Sequence, residues 1–117
     1  MATIAKKVQS SMSGRWARYS WESLANSGDV GAGVEVASCG DRSVQCTGSF
    51  DGSAACAWEG SNDGGTTWFA LKDYGGTAIS FTAAGGSGVR EVSHMVRPRL
   101  TAGTGASIKA FLFATGG

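Results

Sequence analysis

Short runs in which apolar and polar residues alternate with period two recur along the chain, each bounded by Gly, Asn, Asp or Ser, and helical spacing is almost absent. Successive residues of a strand point to opposite faces, so each run predicts a strand with one buried side. Arg15 to Glu22 places Tyr19 and Trp21 on one face and Trp16 and Arg18 on the other. Val34 and Val36 alternate with Glu35, and Val44 and Cys46 with Ser43 and Gln45. Further runs are Ser53 to Glu59, Trp68 to Leu71, Thr77 to Thr82, Val89 to Leu100 and Ser107 to Ala114. About eight strands result, which predicts an all-β, single-domain antiparallel β-sandwich of the jelly-roll kind, with an immunoglobulin-like sandwich as its competitor.

Several details follow from the same pattern. Asp51-Gly52 between two alternating runs predicts a hairpin, and a two-residue loop sets Cys46 opposite Ala57 and Cys56 opposite Thr47, with the thiols on opposite sides. Leu24 to Gly33 and the glycine cluster Gly85-Gly86-Ser87-Gly88 read as loops. Val92, His94, Val96 and Leu100 share one parity, and Pro98 predicts an edge or a bulge because it has no N–H to give a ladder. The final run carries Ile108, Ala110 and Leu112 on one face and Phe111 and Phe113 on the other, so it is either central between two layers or apposed to another chain. Thr3 to Val8 reads as either a first strand or part of an extended arm, and the polar, basic residues 1–14 predict an N-terminal arm ahead of a domain spanning 15–117.

Composition narrows the picture. The 117 residues include 19 Gly and 1 Pro, with 42% hydrophobic and 16% charged residues, as in a turn-rich globular domain. A net charge of +1 gives no global reason to expect nucleic acid or membrane as a partner. The charges are segregated, however. Residues 1–18 carry Lys6, Lys7, Arg15 and Arg18 with no acid, whereas residues 19–63 carry seven acids against Arg42 alone. Such a basic arm ahead of an acidic segment suits docking on an acidic neighbour, including a second copy of the chain. Cys39, Cys46 and Cys56 are odd in number and lack a CxxC pair, so neither a disulfide framework nor a zinc site is expected. Nor is any cofactor.

One motif is sharp. Ser61-Asn62-Asp63-Gly64-Gly65-Thr66-Thr67-Trp68 matches the Asp-box pattern S-x-D-x-G-x-T-W of sialidase-type propellers. A single copy in 117 residues cannot build a propeller, so Ser61, Asp63, Gly65 and Trp68 are read as a structural turn. His94 is the only imidazole, and no nucleophile elbow, HExxH helix or Walker loop accompanies it, so no enzymatic activity is expected. Trp16, beside Arg15 and Arg18, is the tryptophan best suited to an interface.

The segments Trp21-Glu22-Ser23-Leu24-Ala25-Asn26, Asp41 to Gln45, Glu59 to Trp68, Ser80 to Gly85 and Val96 to Thr101 together resemble small virion structural proteins of tailed bacteriophages. The resemblance covers residues 14 to 114 and implies a capsid cement or decoration protein with a jelly-roll-like fold. Such a protein would be made in the host bacterial cytoplasm, mounted on the virion surface, and partnered by the major capsid protein and by copies of itself as a dimer or trimer. It implies no catalytic residues. Lys6, Lys7, Arg15, Trp16, Arg18, Arg97, Arg99, Phe111 and Phe113 are the candidate capsid or subunit contacts. The competing readings are a tail or head-to-tail connector component, and a carbohydrate-binding adhesion module.

Overall fold

The computed structural model describes residues 2–10, 16–36, 39–51 and 53–116. The described residues form twelve strands and no helix: β1 (Thr3–Ile4), β2 (Lys6–Ser10), β3 (Trp16–Leu24), β4 (Val30–Gly31), β5 (Val34–Glu35), β6 (Asp41–Ser49), β7 (Ala55–Ser61), β8 (Phe69–Ala70), β9 (Ser80–Phe81), β10 (Gly85–Gly88), β11 (Met95–Ala102) and β12 (Ser107–Thr115).

Two sheets face one another. One has five strands in the order β10-β6-β12-β3-β2, antiparallel throughout. The other has seven, in the order β1-β4-β11-β7-β8, with β5 beside β11 and β9 beside β7. If β4/β5 and β8/β9 are each taken as one interrupted strand, the chain from β3 onward fills eight positions: β3, β4/β5, β6, β7, β8/β9, β10, β11 and β12. Their arrangement, β10-β6-β12-β3 facing β4/β5-β11-β7-β8/β9, is that of a jelly roll.

The core is built from the inward parity of both sheets. In β6 and β12 every second residue is buried: Val44 and Cys46 on one, Ile108, Ala110, Leu112 and Ala114 on the other. The opposing sheet supplies Cys56, Trp58, Val96 and Leu100. Trp21 and Trp58 meet edge to face across the interior with ring centroids 5.7 Å apart, and Trp21 Nε1 donates to Ala32 O at 2.9 Å. Fully burying side chains of this size stabilises the domain by about 2–3 kcal/mol each, which is where most of the fold's free energy lies.

Several local expectations change. The run across Asp51 is not a hairpin: β6 and β7 lie in opposite sheets, and the chain between them crosses the sandwich; Gly52 itself lies outside the described residues. A tight turn between two half-buried strands looks the same in sequence whether it folds back or crosses over, and distant partners decide. Here β12 claims β6 and β11 claims β7. Cys46 and Cys56 therefore both face the core, fully buried, rather than pointing to opposite sides.

The glycine cluster at 85–88 is a strand. It pairs with β6 at the sheet edge, where a row of small residues costs little packing. Val30–Gly31, inside the expected loop, pairs with β11. Strand β11 starts only at Met95, so Val92 precedes it and is 62% exposed rather than sharing the inward side. Pro98 is buried within the sheet, not at its edge. Its nitrogen faces the side where β4 ends at Gly31 and β5 has not begun, so no ladder bond is missing there.

The expected arm is extended over residues 3–10 but runs along the domain. β1 pairs in parallel with β4, and β2 pairs antiparallel with β3, so the segment bridges both sheets across the open side of the sandwich. Its polarity reflects edge positions: Ile4 is half-buried against the core while Val8 remains 56% exposed.

Candidate functional site

The outer face of the five-stranded sheet gathers most of the sequence-predicted contacts. Register fixes which residues share it. Phe111 lies between Ser20 and Gln45, Phe113 between Arg18 and Ser43, and Thr115 between Trp16 and Asp41, while Lys7 lies beside Ser20 and Gln9 beside Arg18. All of these are of the parity opposite to the buried Ala110, Leu112 and Ala114. Trp16, Arg18, Lys7, Phe111 and Phe113 thus occupy one face although up to about one hundred residues separate them in sequence.

This face has two ends, separated by about 20 Å from Ser107 to Phe113 at the usual strand rise. At one end Trp16 stacks on Phe113, with centroids 5.8 Å apart and planes at 27°. Phe113 is 42% exposed, and Arg18 beside it donates to Gln9 Oε1. The nearby Tyr74, 68% exposed, lies over Gly88, where any Cβ would come within 2.5 Å of its ring. At the other end Glu22 is held between two lysines, Lys7 Nζ at 2.9 Å and Lys109 Nζ at 3.0 Å. Hydrogen bonds from Lys7 and then Lys109 lower its pKa to about 2. An open groove of 740 Å³ runs beside it, lined among others by Gln45, Thr47, Ser107 and Phe111.

The remaining candidates lie elsewhere. Lys6 has the inward parity of Trp21 and sits at the rim beside Tyr19 and Glu35. Arg97 and Arg99 are on the outer face of the other sheet, where both reach Glu59, at 2.9 and 3.4 Å. Arg97 also covers the ring of Trp68, 4.1 Å from its centroid. Arg15 lies outside the described residues.

The Asp-box segment is a self-contained turn, as its chemistry predicts. Asp63 Oδ1 accepts from Ser61 Oγ at 2.8 Å and from the backbone N–H groups of Thr66 and Thr67 at 3.1 and 2.9 Å. Those donors, led by Thr67 N–H, lower its pKa to about 2. Gly64 and Gly65 take positive φ, and Trp68 Nε1 closes the loop on Gly65 O at 3.0 Å.

Two buried charges escaped the sequence reading. Arg42 has the inward parity of Val44, and its guanidinium donates to Cys39 O at 2.9 Å, Val36 O at 2.7 Å and Ser93 Oγ at 3.2 Å. The signal was available: a charge at a core-parity position. Asp29 accepts from the backbone N–H groups of Ala2, Ala25 and Asn26 at 3.0–3.1 Å. It thereby ties the start of the chain to the loop after β3. Among the described residues no group of three or more His, Cys, Asp or Glu side chains is placed to hold a metal ion.

No family model matches the chain, and no curated protein matches it. Solved structures do. The SPBc2 prophage-derived protein YomS is 14% identical and superposes with a TM-score of 0.61 over 86% of this chain and 95% of that one. KdgF from a Halomonas species is 11% identical with a TM-score of 0.42, over 94% of this chain and 76% of that one. A carbohydrate-binding module of Cellvibrio mixtus lichenase 5A is 15% identical with a TM-score of 0.39, over 96% and 86%. At these identities the likeness is one of fold, and the last two superpose too loosely to carry weight.

Proposed function

We propose that the chain is a structural protein of a bacteriophage virion that decorates the capsid, with the stacked Trp16–Phe113 corner as its contact to the major capsid protein. That corner is the observation that carries the reading. Two large aromatics stacked on the outer face of the sheet, with Arg18 alongside, have the composition of an interface hot spot, where Trp and Arg are enriched and little side-chain entropy remains to be lost. The fold shared with a prophage-derived protein across most of both chains supports the same reading. So do three buried free cysteines, which suit folding in a reducing cytoplasm.

One corner is smaller than the roughly 800 Å² per partner of a stable interface. Attachment therefore rests on several copies acting together, as a dimer or trimer placed on a symmetry axis of the shell would provide. Quantitative mass spectrometry of purified particles from the strain carrying the gene tests the proposal. Hundreds of copies per particle are expected, with occupancy reduced at least tenfold by Trp16→Ala in a protein that still folds. Absence from particles overturns the proposal, and about a dozen copies replaces it with a tail or connector role.

A further inference from the structure

We infer that the groove at the Glu22 end of the five-stranded sheet is a binding site for a neutral hexopyranose glycan. The groove is open and measures 740 Å³. It exists because the sheet is irregular there. Ser23 and Gly48, on the strands either side of β12, both take positive φ, at 68° and 109°, and the β12–β3 register shifts between Ile108 and Ala110. Ser23 is a non-glycine residue in a sparsely populated conformation, which persists only where the surrounding structure imposes it. Gly48 lies so close to Ser107 O, 2.1 Å from where a Cβ would stand, that no side chain fits between β6 and β12 at this point. The floor is thereby kept clear.

The lining selects the ligand. Phe111 presents an apolar ring on a face otherwise made of hydrogen-bonding groups: the Gln45 amide, the Thr47 and Ser107 hydroxyls, and the paired Glu22 and Lys109. A pyranose matches that combination, with a C–H face for the aromatic ring and an edge of hydroxyls that both donate and accept. Ser107 to Phe111 spans about 13 Å of strand, room for a short oligosaccharide. Other ligand classes fit less well. β12 is paired on both sides, so an extended peptide finds no free strand edge. Ionised Glu22 repels phosphate, and Lys109 is already engaged by it. The site is separate from the proposed capsid contact, since the groove runs from Ser107 to Phe111 and the Trp16–Phe113 stack lies beyond its Phe111 end.

The test is titration of the purified protein with cellohexaose, laminarihexaose, maltohexaose and chitohexaose, followed by calorimetry and by amide chemical shifts. At least one oligosaccharide is expected to bind with a Kd of ~100 µM, with the largest shifts at 45–48 and 107–111. Phe111→Ala and Gln45→Ala are each expected to weaken binding about tenfold or more. Phe111→Tyr retains it, and Val92→Ser, on a distant loop, leaves it unchanged. Unaltered thermal unfolding of Phe111→Ala shows that the loss is local; should that variant fail to fold, Gln45→Ala and the shift map decide. Failure of all four sugars to bind at millimolar concentration overturns the inference, as does binding that maps away from these residues or survives both alanine substitutions. Copy number in particles is a separate readout, so this site and the decoration role stand or fall independently.

Discussion

Replacing Arg42 by Met keeps the length and apolar stem of the side chain and removes only its charged head. The guanidinium is buried, and burial pulls its pKa below the ordinary arginine value. Three acceptors hold it. Val36 O also receives Cys39 N–H at 2.9 Å, and Ser93 Oγ itself donates to Met95 O at 2.9 Å, so each keeps a bond when the guanidinium goes. Cys39 O loses its charged donor. Hydrogen bonds to a charged donor are worth about 1.5–3 kcal/mol each, and three of them are lost. Against this, Met no longer requires a cation to be taken out of water, a relief of several kcal/mol. The net expectation is a loss of about 2–4 kcal/mol. With an unfolding entropy near 2.1 cal/mol/K per residue, 117 residues give about 0.25 kcal/mol/K, so the midpoint should fall by about 8–16 °C. Arg42→Lys should lose nearly as much, because one ammonium cannot reach three acceptors set around a planar fork. Urea unfolding followed by tryptophan fluorescence measures both variants. A Met variant within about 0.5 kcal/mol of the parent, no more than the ordinary scatter of surface substitutions, would show that the guanidinium does not hold the Val36 and Cys39 carbonyls in place.

Other outcomes follow from the same geometry. Burial pushes the Asp29 carboxyl up, but bonds from Asn26, Ala25 and Ala2 N–H more than offset this, so its folded-state pKa is lowered. Its contribution to stability is then fully present above about pH 5 and is lost as the pH falls through the ordinary carboxylate range toward the folded value. Asp29→Asn should cost about 1–3 kcal/mol at pH 7 and distinctly less at pH 3, which paired denaturant titrations at the two pH values will show. Gly48→Ala should destabilise the domain by more than about 2 kcal/mol in thermal melts, since it adds both a positive-φ penalty and a collision with Ser107 O. The Cys46 side chain and burial both raise the Cys56 thiol pKa, and all three cysteines are buried. An aromatic disulfide reagent should therefore label no thiol in the native protein and three after unfolding; rapid native labelling would contradict the packing.

What could be read in the sequence depended on how local its cause was. The Asp63 turn was legible in full, because every group it uses lies between Ser61 and Trp68. The inward parity of Val44, Cys46, Ile108 and Leu112 was legible as well, since alternation is a property of the strand itself. Strand partners were not. Phe111 and Phe113 on the second face of β12 marked something unusual, but only the register showed that they share a surface with Trp16 and Arg18. Lys7 and Glu22 meet for the same reason, as their strands are neighbours and their parity outward. The polar composition of residues 3–10 could not distinguish a free arm from an edge strand, because an edge exposes most of its side chains in either case.

The position of β12 has a consequence for how the molecule comes into being. Its nine residues, 107–115, form the middle of the five-stranded sheet, yet among the described strands they are the last in chain order and so are synthesised after all of their partners. Until then β3 and β6 have a gap between them, and Val44, Cys46, Tyr19 and Trp21 have no layer to complete. Neither sheet can be finished in order of synthesis, so folding waits for the whole domain and must close its longest loops first, a slow route for which the nascent chain has to stay unaggregated. A chain cut short before residue 107 would not be a smaller version of this protein. It would lack the strand around which one half is assembled.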